Sequence, residues 1–316
     1  MAQVSVPPAP RGGDLDFAVS PLAMHKARLQ RGFKNAIWEL WKNRLATVGA
    51  VMVFSLFMIA VLAPWLATHD PVRQNYREML QPPSMDHYFG TDKFGRDIWS
   101  RVVWASQRMV TIAVMAVIVG LLVGIPLGTI SGYYGGKVDL ILMRVVDAWL
   151  AFPGILFYLL AATLIRAYEL SLFWNTVGLI IALGVGNVPN VARLVRGAVL
   201  AEREKDYVEA SIATGEAQLY IAFRQILPNC LSPVIIQATI SLGFELLTIA
   251  TLSFLGLGAP PPTPDWGADL NLAREHMETR PYLAIFPGLA ISFAVLAFNL
   301  FGDGLRDILD PRTADR

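Results

Sequence analysis

Residues Met109 to Gly136 read MVTIAVMAVIVGLLVGIPLGTISGYYGG, without one charged side chain. A run of about 18 or more apolar residues is long enough to cross a hydrocarbon core of roughly 30 Å, whereas a surface helix of a soluble domain carries charge along its outer face. This stretch therefore predicts a membrane-spanning helix. Working outward from it, further uncharged runs occur at Leu45–Thr68, Ala148–Ile165, Leu170–Ala192, Gln225–Phe244 with its continuation Leu246–Pro264, and Pro281–Gly302. Only Glu245 separates the two halves of the fifth run, which leaves no residues for a loop, so one span from about Leu231 to Gly258 must absorb an acid. Pro233 falls just inside its start, where a missing N–H costs nothing. The expected fold class is an all-α integral membrane protein with six transmembrane helices.

Composition agrees: of 316 residues 54% are hydrophobic and 16% charged, against about 25% charged in ordinary soluble domains. The balance of 26 Lys plus Arg against 25 Asp plus Glu gives no electrostatic reason to expect nucleic acid as a partner. Cys230 is alone, which excludes an intrachain disulfide and a CxxC site. His25, His69, His87 and His276 are the only four histidines, a number that argues against a dedicated metal centre. The first 46 residues, Pro-rich and then of mixed charge, have no apolar core near their start, so no secretory signal is expected.

Lys and Arg concentrate on the cytoplasmic side of membrane proteins. With both termini cytoplasmic the 26 divide 17 inside to 9 outside, which sets the expected orientation in the cell (inner or plasma) membrane. The organisation is then a cytoplasmic tail 1–46, an anchor helix 47–67, an outer segment 68–108, a five-helix core 109–303 enclosing an inner loop 197–229, and a cytoplasmic tail 304–316. No internal repeat is visible. ATP hydrolysis by the chain itself is not expected: its one Gly-Lys pair, Gly136-Lys137, has Ser131 where GxxxxGK[ST] needs Gly and Val138 where it needs Ser or Thr. HExxH and GxSxG do not occur, and Leu300-Phe301-Gly302-Asp303 lacks the first Gly of a GxGD protease pattern.

In the inner loop Val208 and Ile212, then Tyr220 and Phe223, form short apolar faces at helical spacing, flanked by charge. Two short helices broken at Gly215 are expected, since Gly tolerates positive φ, with Pro228 preventing the second from running on. An amphipathic loop lying on the bilayer surface fits these residues as well. Glu209-Ala210, Gly215 and Ile226-Leu227-Pro228-Asn229 as a spaced set resemble the EAA loop of ABC importer permeases. Ser211 stands where that family has Ala, and Gln225 where it usually has His.

The resemblance continues over nearly the whole chain after the first twenty or so residues. The anchor, with Lys42 to Ala46 and Ala63-Pro64, and Phe89-Gly90-Thr91-Asp92 with Gly95-Arg96-Asp97 and Ser100-Arg101, are similar to the dipeptide, oligopeptide and nickel permeases. So are Ser253 to Gly258 and Asn299 to Asp307, and the anchor, the outer signature and the Leu309–Arg312 tail together are typical of the second, C-type permease of a pair. Ala105, Ser106 and Gln107 depart from the family's Gly, Ala, Arg. The resemblance implies a coupling loop (Tyr207, Glu209, Ala210, Ser211, Gly215, Pro228) docking on an ATPase. The implied partners are a second permease subunit, two ATPase subunits that bind ATP and Mg, an extracytoplasmic substrate-binding protein and the lipid bilayer. No cofactor is implied for this chain. The expected cargo is dipeptides or oligopeptides, with nickel chelates, glutathione or sugars as alternatives.

Asp92, Arg96, Asp97 and Arg101 alternate in sign at i, i+4 and i, i+5 outside the second span. They read either as an ion-paired cap anchoring that helix, with Trp99 and Trp104 at headgroup level, or as a docking surface for the binding protein. Glu245 must face the bundle or a wet cavity; it is either a structural hydrogen-bond partner or part of the path, together with Asn187 and Asn190 beside Pro189. The family commonly has a Glu one turn later, at Ile249 here, on the same helix face. Gly120, Gly124 and Gly128 form a small-residue ridge for close helix packing. An ion-coupled secondary transporter using Glu245, and a non-transporting scaffold, are the rival readings.

Overall fold

The computed structural model describes residues 43–169 and 171–309. The remainder of the two expected tails, Leu170, and the Leu309–Arg312 signature past its first residue lie outside the described residues. Those described form helices joined by turns, with one isolated bridge, Thr91 to Asp97, and no strand. The major helices are α1 (Arg44–Val61), α2 (Ile98–Tyr134), α3 (Gly136–Leu150), α4 (Gly154–Ala167), α5 (Leu172–Arg203), α6 (Asp206–Ala213), α7 (Leu231–Phe254), α8 (Trp266–Ala273) and α9 (Tyr282–Leu309).

Five of these, α1, α2, α5, α7 and α9, are long and apolar enough to cross a membrane, and α3 with α4 makes a sixth crossing if the bent pair is one span. The expected third span, Ala148–Ile165, is not a straight helix. The chain bends by 77° between α3 and α4, because Pro153 supplies no N–H and disfavours helical backbone at Phe152. At 14 residues α4 rises only about 21 Å, short of a full crossing on its own.

The ends of the spans also differ from the hydropathy reading. Asp97 caps α2, its side chain accepting from the Ser100 N–H, so the helix begins well before Met109 and takes in the last part of the expected outer segment. Its 37 residues make a rod of about 55 Å. Likewise α5 continues past Ala192 to Arg203 and carries Pro189 in its interior without ending.

The small-residue ridge packs α2 along α5. A methyl group on Gly124 would lie 2.7 Å from Val191 Cβ, and one on Gly128 would lie 2.5 Å from the Ala192 carbonyl oxygen. Gly132 continues the ridge against Val199, and Gly184 of α5 answers it against Val119. In a second close seam α1 lies on α9, where Gly304 meets Ala46 and Gly49 meets the Phe301 backbone. Buried Met109, Ile112, Leu183, Leu246, Ile249 and Phe298 fill the space between the helices.

Candidate functional site

The inner loop begins where α5 ends. Glu202 accepts from Tyr207 Oη at 3.0 Å, Asn229 Nδ2 donates to the same Tyr207 oxygen at 3.2 Å, and Lys205 Nζ lies 2.6 Å from Glu202 Oε2. Tyr207 thus ties α6 to the end of α5 and to the segment entering α7. Partial burial holds its phenol pKa above the usual range, while the Glu202 contact raises that of Lys205. Val208 turns inward and is 1% exposed, packed with Ile221, Ile226 and Cys230. Its expected companion Ile212 faces outward at 54% exposure, and Leu219 and Tyr220, beyond the turn, are exposed as well.

Gly215 sits where the chain reverses. Its φ is +77°, and two backbone bonds close the α6 terminus: Gly215 N–H to the Ile212 carbonyl at 3.0 Å and Glu216 N–H to the Ser211 carbonyl at 3.2 Å. This is the Schellman arrangement, which wants a residue without Cβ in the left-handed position. A Cβ here would meet no atom of this chain within 4 Å, so the demand for glycine is conformational rather than a matter of internal space. The two loop positions that depart from the family pattern touch each other, Ser211 Oγ donating to Gln225 Oε1 at 2.8 Å, and Gln225 Nε2 donates on to Glu216.

Pro228 does not end the second helix. The helical path from Gln218 widens into a π-turn over Ile221–Ile226, in which Leu227 N–H reaches the Ala222 carbonyl, and continues through Pro228 to Asn229. The break comes at Cys230, and α7 starts at Leu231 with Pro233 in its first turn. Pro228 falls within the first two positions of its short turn, where no donor is required.

In the outer segment Asp92 and Arg96 pair as spaced, Arg96 Nε to Asp92 Oδ2 at 2.6 Å. Asp97 and Arg101 do not pair with each other. Asp97 receives the Ser100 N–H and hydroxyl and His87 Nδ1, the last at 2.9 Å. Arg101 crosses to Asp269 of α8, with Nη2 2.5 Å from Oδ1, and also donates to the Pro71 and Pro262 carbonyls. All four side chains are buried within this chain. Trp99 Nε1 donates to the Leu66 carbonyl and so joins α2 to the exit of α1.

Sequence reasoning missed the acceptors of these arginines. Asp265 caps α8 and takes Arg108 at 3.0 Å and Ser253 at 2.9 Å, while Trp266 Nε1 bonds the Val102 carbonyl. The available signal was two acids one turn apart, Asp265 and Asp269, facing two arginines two turns apart, Arg101 and Arg108. At the other end of α2, Asp139 was also overlooked; it accepts from Arg196 Nε and Nη2, at 2.5 and 2.6 Å, and from the Ser131 hydroxyl.

Within the bundle, Glu245 is 5% exposed and its Oε2 has no hydrogen-bond partner; Asn187 Nδ2 is likewise buried and unpartnered. Tyr158 of α4 packs against Gly186, the neighbour of Asn187. Asn190 is exposed. Glu245 and Asn187 thus leave two polar groups facing the helix-packed interior from α7 and α5.

The family model for binding-protein-dependent transport system inner membrane components matches residues 124–315, and that for the N-terminal TM domain of oligopeptide transport permease C matches residues 33–83. The chain is 40% identical to the dipeptide transport system permease protein DppC of Alkalihalophilus pseudofirmus, over 97% of this chain and 95% of that one. It is also 40% identical to the glutathione transport system permease protein GsiD of Escherichia coli, over 87% and 90%. Its fold is similar to a chain of the inward-facing MetNI methionine ABC transporter, with TM-score 0.54 and 19% identity, covering 67% of this chain and 97% of that chain. A multi-pass helical protein with these matches belongs to the binding-protein-dependent ABC importer permeases of the inner membrane, in the branch that carries the oligopeptide permease C anchor.

Proposed function

We propose that this chain is one of two permease subunits that form the path of a peptide importer, with di- and oligopeptides as cargo delivered by an external binding protein. Peptide-transport relatives of matching length support the cargo; the similarly identical glutathione permease keeps that tripeptide within the same chemical class. ATP and Mg belong to two separate ATPase subunits, and this chain contributes motion rather than catalysis. Both termini and the loop around Gly215 face the cytoplasm, in accord with the distribution of Lys and Arg.

One observation carries the coupling assignment: a Gly-dependent turn is flanked by exposed apolar side chains, Ile212 before it and Leu219 and Tyr220 after it, with Glu209 and Ala210 also exposed on the helix of Ile212, which is otherwise pinned through Tyr207 and Val208. Exposed apolar side chains gathered among charges at the end of a long rigid helix suit a protein partner. A force on α6 passes through Tyr207 and Val208 into α5 and the start of α7. ATP binding then favours whichever bundle conformation accompanies the closed ATPase pair. In the outer segment, Asp92, Arg96, Asp97 and Arg101 anchor the N-terminus of α2 instead of offering their charges to a partner. Glu245 and Asn187 are the interior polar groups available to the path.

The test is an exchange at Gly215. Asn accepts the left-handed conformation and Val resists it, so Gly215→Asn should retain ATPase co-purification and peptide uptake, whereas Gly215→Val should lose either one while the spans still insert. Wild-type co-purification and uptake by Gly215→Val would remove the coupling role.

A further inference from the structure

The fold gathers two of the four histidines beside the ion-paired cap of α2. His69 leaves the end of α1, His87 comes from the loop before Gly90, and Asp97 is the N-cap of α2. One potential ligand atom from each lies within 4.8 Å of the other two. His87 Nδ1 is 2.9 Å from Asp97 Oδ1, His69 Nδ1 is 4.0 Å from Asp97 Oδ2, and the two imidazole centroids are 4.7 Å apart. A cavity of about 400 Å³ opens beside them, bordered also by Glu78, Asp70 and Arg73.

We propose that His69, His87 and Asp97 bind one divalent transition-metal cation of the zinc class. Bonds of about 2.0–2.1 Å in a tetrahedron place ligand atoms about 3.3 Å apart. The His87 Nδ1 to Asp97 Oδ1 separation, 2.9 Å, lies close to that value, and one ligand atom of each residue is within 4.8 Å of the others, so rotation of the half-exposed His69 side chain toward Oδ1 completes the set. Two imidazoles with one carboxylate suit zinc, cobalt or nickel over calcium or magnesium.

Asp97 Oδ2 is committed to Ser100, which leaves Oδ1 for the cation. His87 binds through Nδ1 in the tautomer that carries its proton on Nε2, and Nε2 lies 3.5 Å from Glu78 Oε2. Carboxylates placed behind a ligating histidine in this way fix its ring orientation and tautomer. Glu78 is therefore a positioning residue. Three protein ligands leave a fourth coordination position open toward the cavity, for water or an external group. The bound cation joins the exit of α1 to the start of α2, across chain segments otherwise held there by hydrogen bonds.

The experiment uses the untagged full-length chain in detergent, in a Cys230→Ser background, stripped with chelator and titrated with Co²⁺ and then Zn²⁺. One equivalent of Co²⁺ should bind with the visible absorption of a tetrahedral site, and Zn²⁺ should displace it. His69→Ala should weaken zinc binding at least tenfold, Glu78→Gln by about 10–100-fold, and His69→Cys should restore what His69→Ala loses. Absence of stoichiometric binding by the parent chain overturns the proposal and leaves a hydrogen-bonded His–carboxylate cluster only. Unchanged affinity in well-folded His69→Ala also overturns it, and if that variant aggregates, unchanged affinity in Glu78→Gln does so.

Discussion

At the outer end of α2, Arg96 and Arg101 are each 2% exposed, and their guanidinium groups end on Asp92 and Asp269 of the same chain. At the inner loop, Glu209 and Ala210 face solvent and Ile212 is 54% exposed. Both regions lie beside long helices and both are rich in charge, so composition does not separate them. Burial does. A buried ion pair has given up its water and is held by geometry, which makes it a fixed joint. An exposed apolar side chain keeps its contact area free for a second protein.

The largest expected effect is at the fixed joint. Arg101→Ala leaves Asp269 buried without its guanidinium, and breaking such a pair typically costs about 3–5 kcal/mol. It should sharply reduce folded, monodisperse protein in a thermal-stability assay, while Glu209→Ala, on the exposed face, should leave the melting temperature unchanged. Equal melting temperatures for the two variants would erase the contrast between the regions.

Next comes the helix seam. Gly124→Val places its side chain on Val191, where a single added carbon already lies at 2.7 Å. Overpacking of this kind costs about 1–3 kcal/mol, and the melting temperature of the purified chain should fall accordingly. At Gly215 the added carbon meets nothing in the chain, so only the left-handed backbone is penalised, by about 1–2 kcal/mol. Gly215→Val should therefore be milder than Gly124→Val in stability and more severe in ATPase association.

The spans were legible because their signal is local: the charge-free run in α2 and the glycine ridge within it need no knowledge of the fold. Gly215 was legible for the same reason, since a turn requirement is written in one residue. The bend at Pro153 was there to be read, but an unbroken apolar run from Ala148 to Ile165 concealed it. Arg101 and Asp269 lie 168 residues apart, so the i, i+4 rule assigned Arg101 to its neighbour Asp97, whose carboxylate is instead occupied by Ser100 and His87. Ser211 and Gln225 were visible as two separate departures from a pattern; only the folded loop brings their side chains together.

That contact gives the smallest expected effect. Ser211→Ala removes one hydrogen bond to Gln225, worth about 0.5–1.5 kcal/mol, and Gln225→Ala should cost a similar amount. The double variant should lose less than the sum of the two, measured as a thermal double-mutant cycle.

The most direct measurement is protection of Ile212. In a Cys230→Ser background, Ile212→Cys is labelled with a thiol reagent in inverted membrane vesicles, first stripped of ATPase subunits and then with them rebound. The loop as a coupling surface predicts rapid labelling in stripped vesicles and strong protection on rebinding, with Tyr76→Cys in right-side-out vesicles unaffected by the ATPase. Equal labelling of Ile212→Cys with and without bound ATPase subunits would contradict the account.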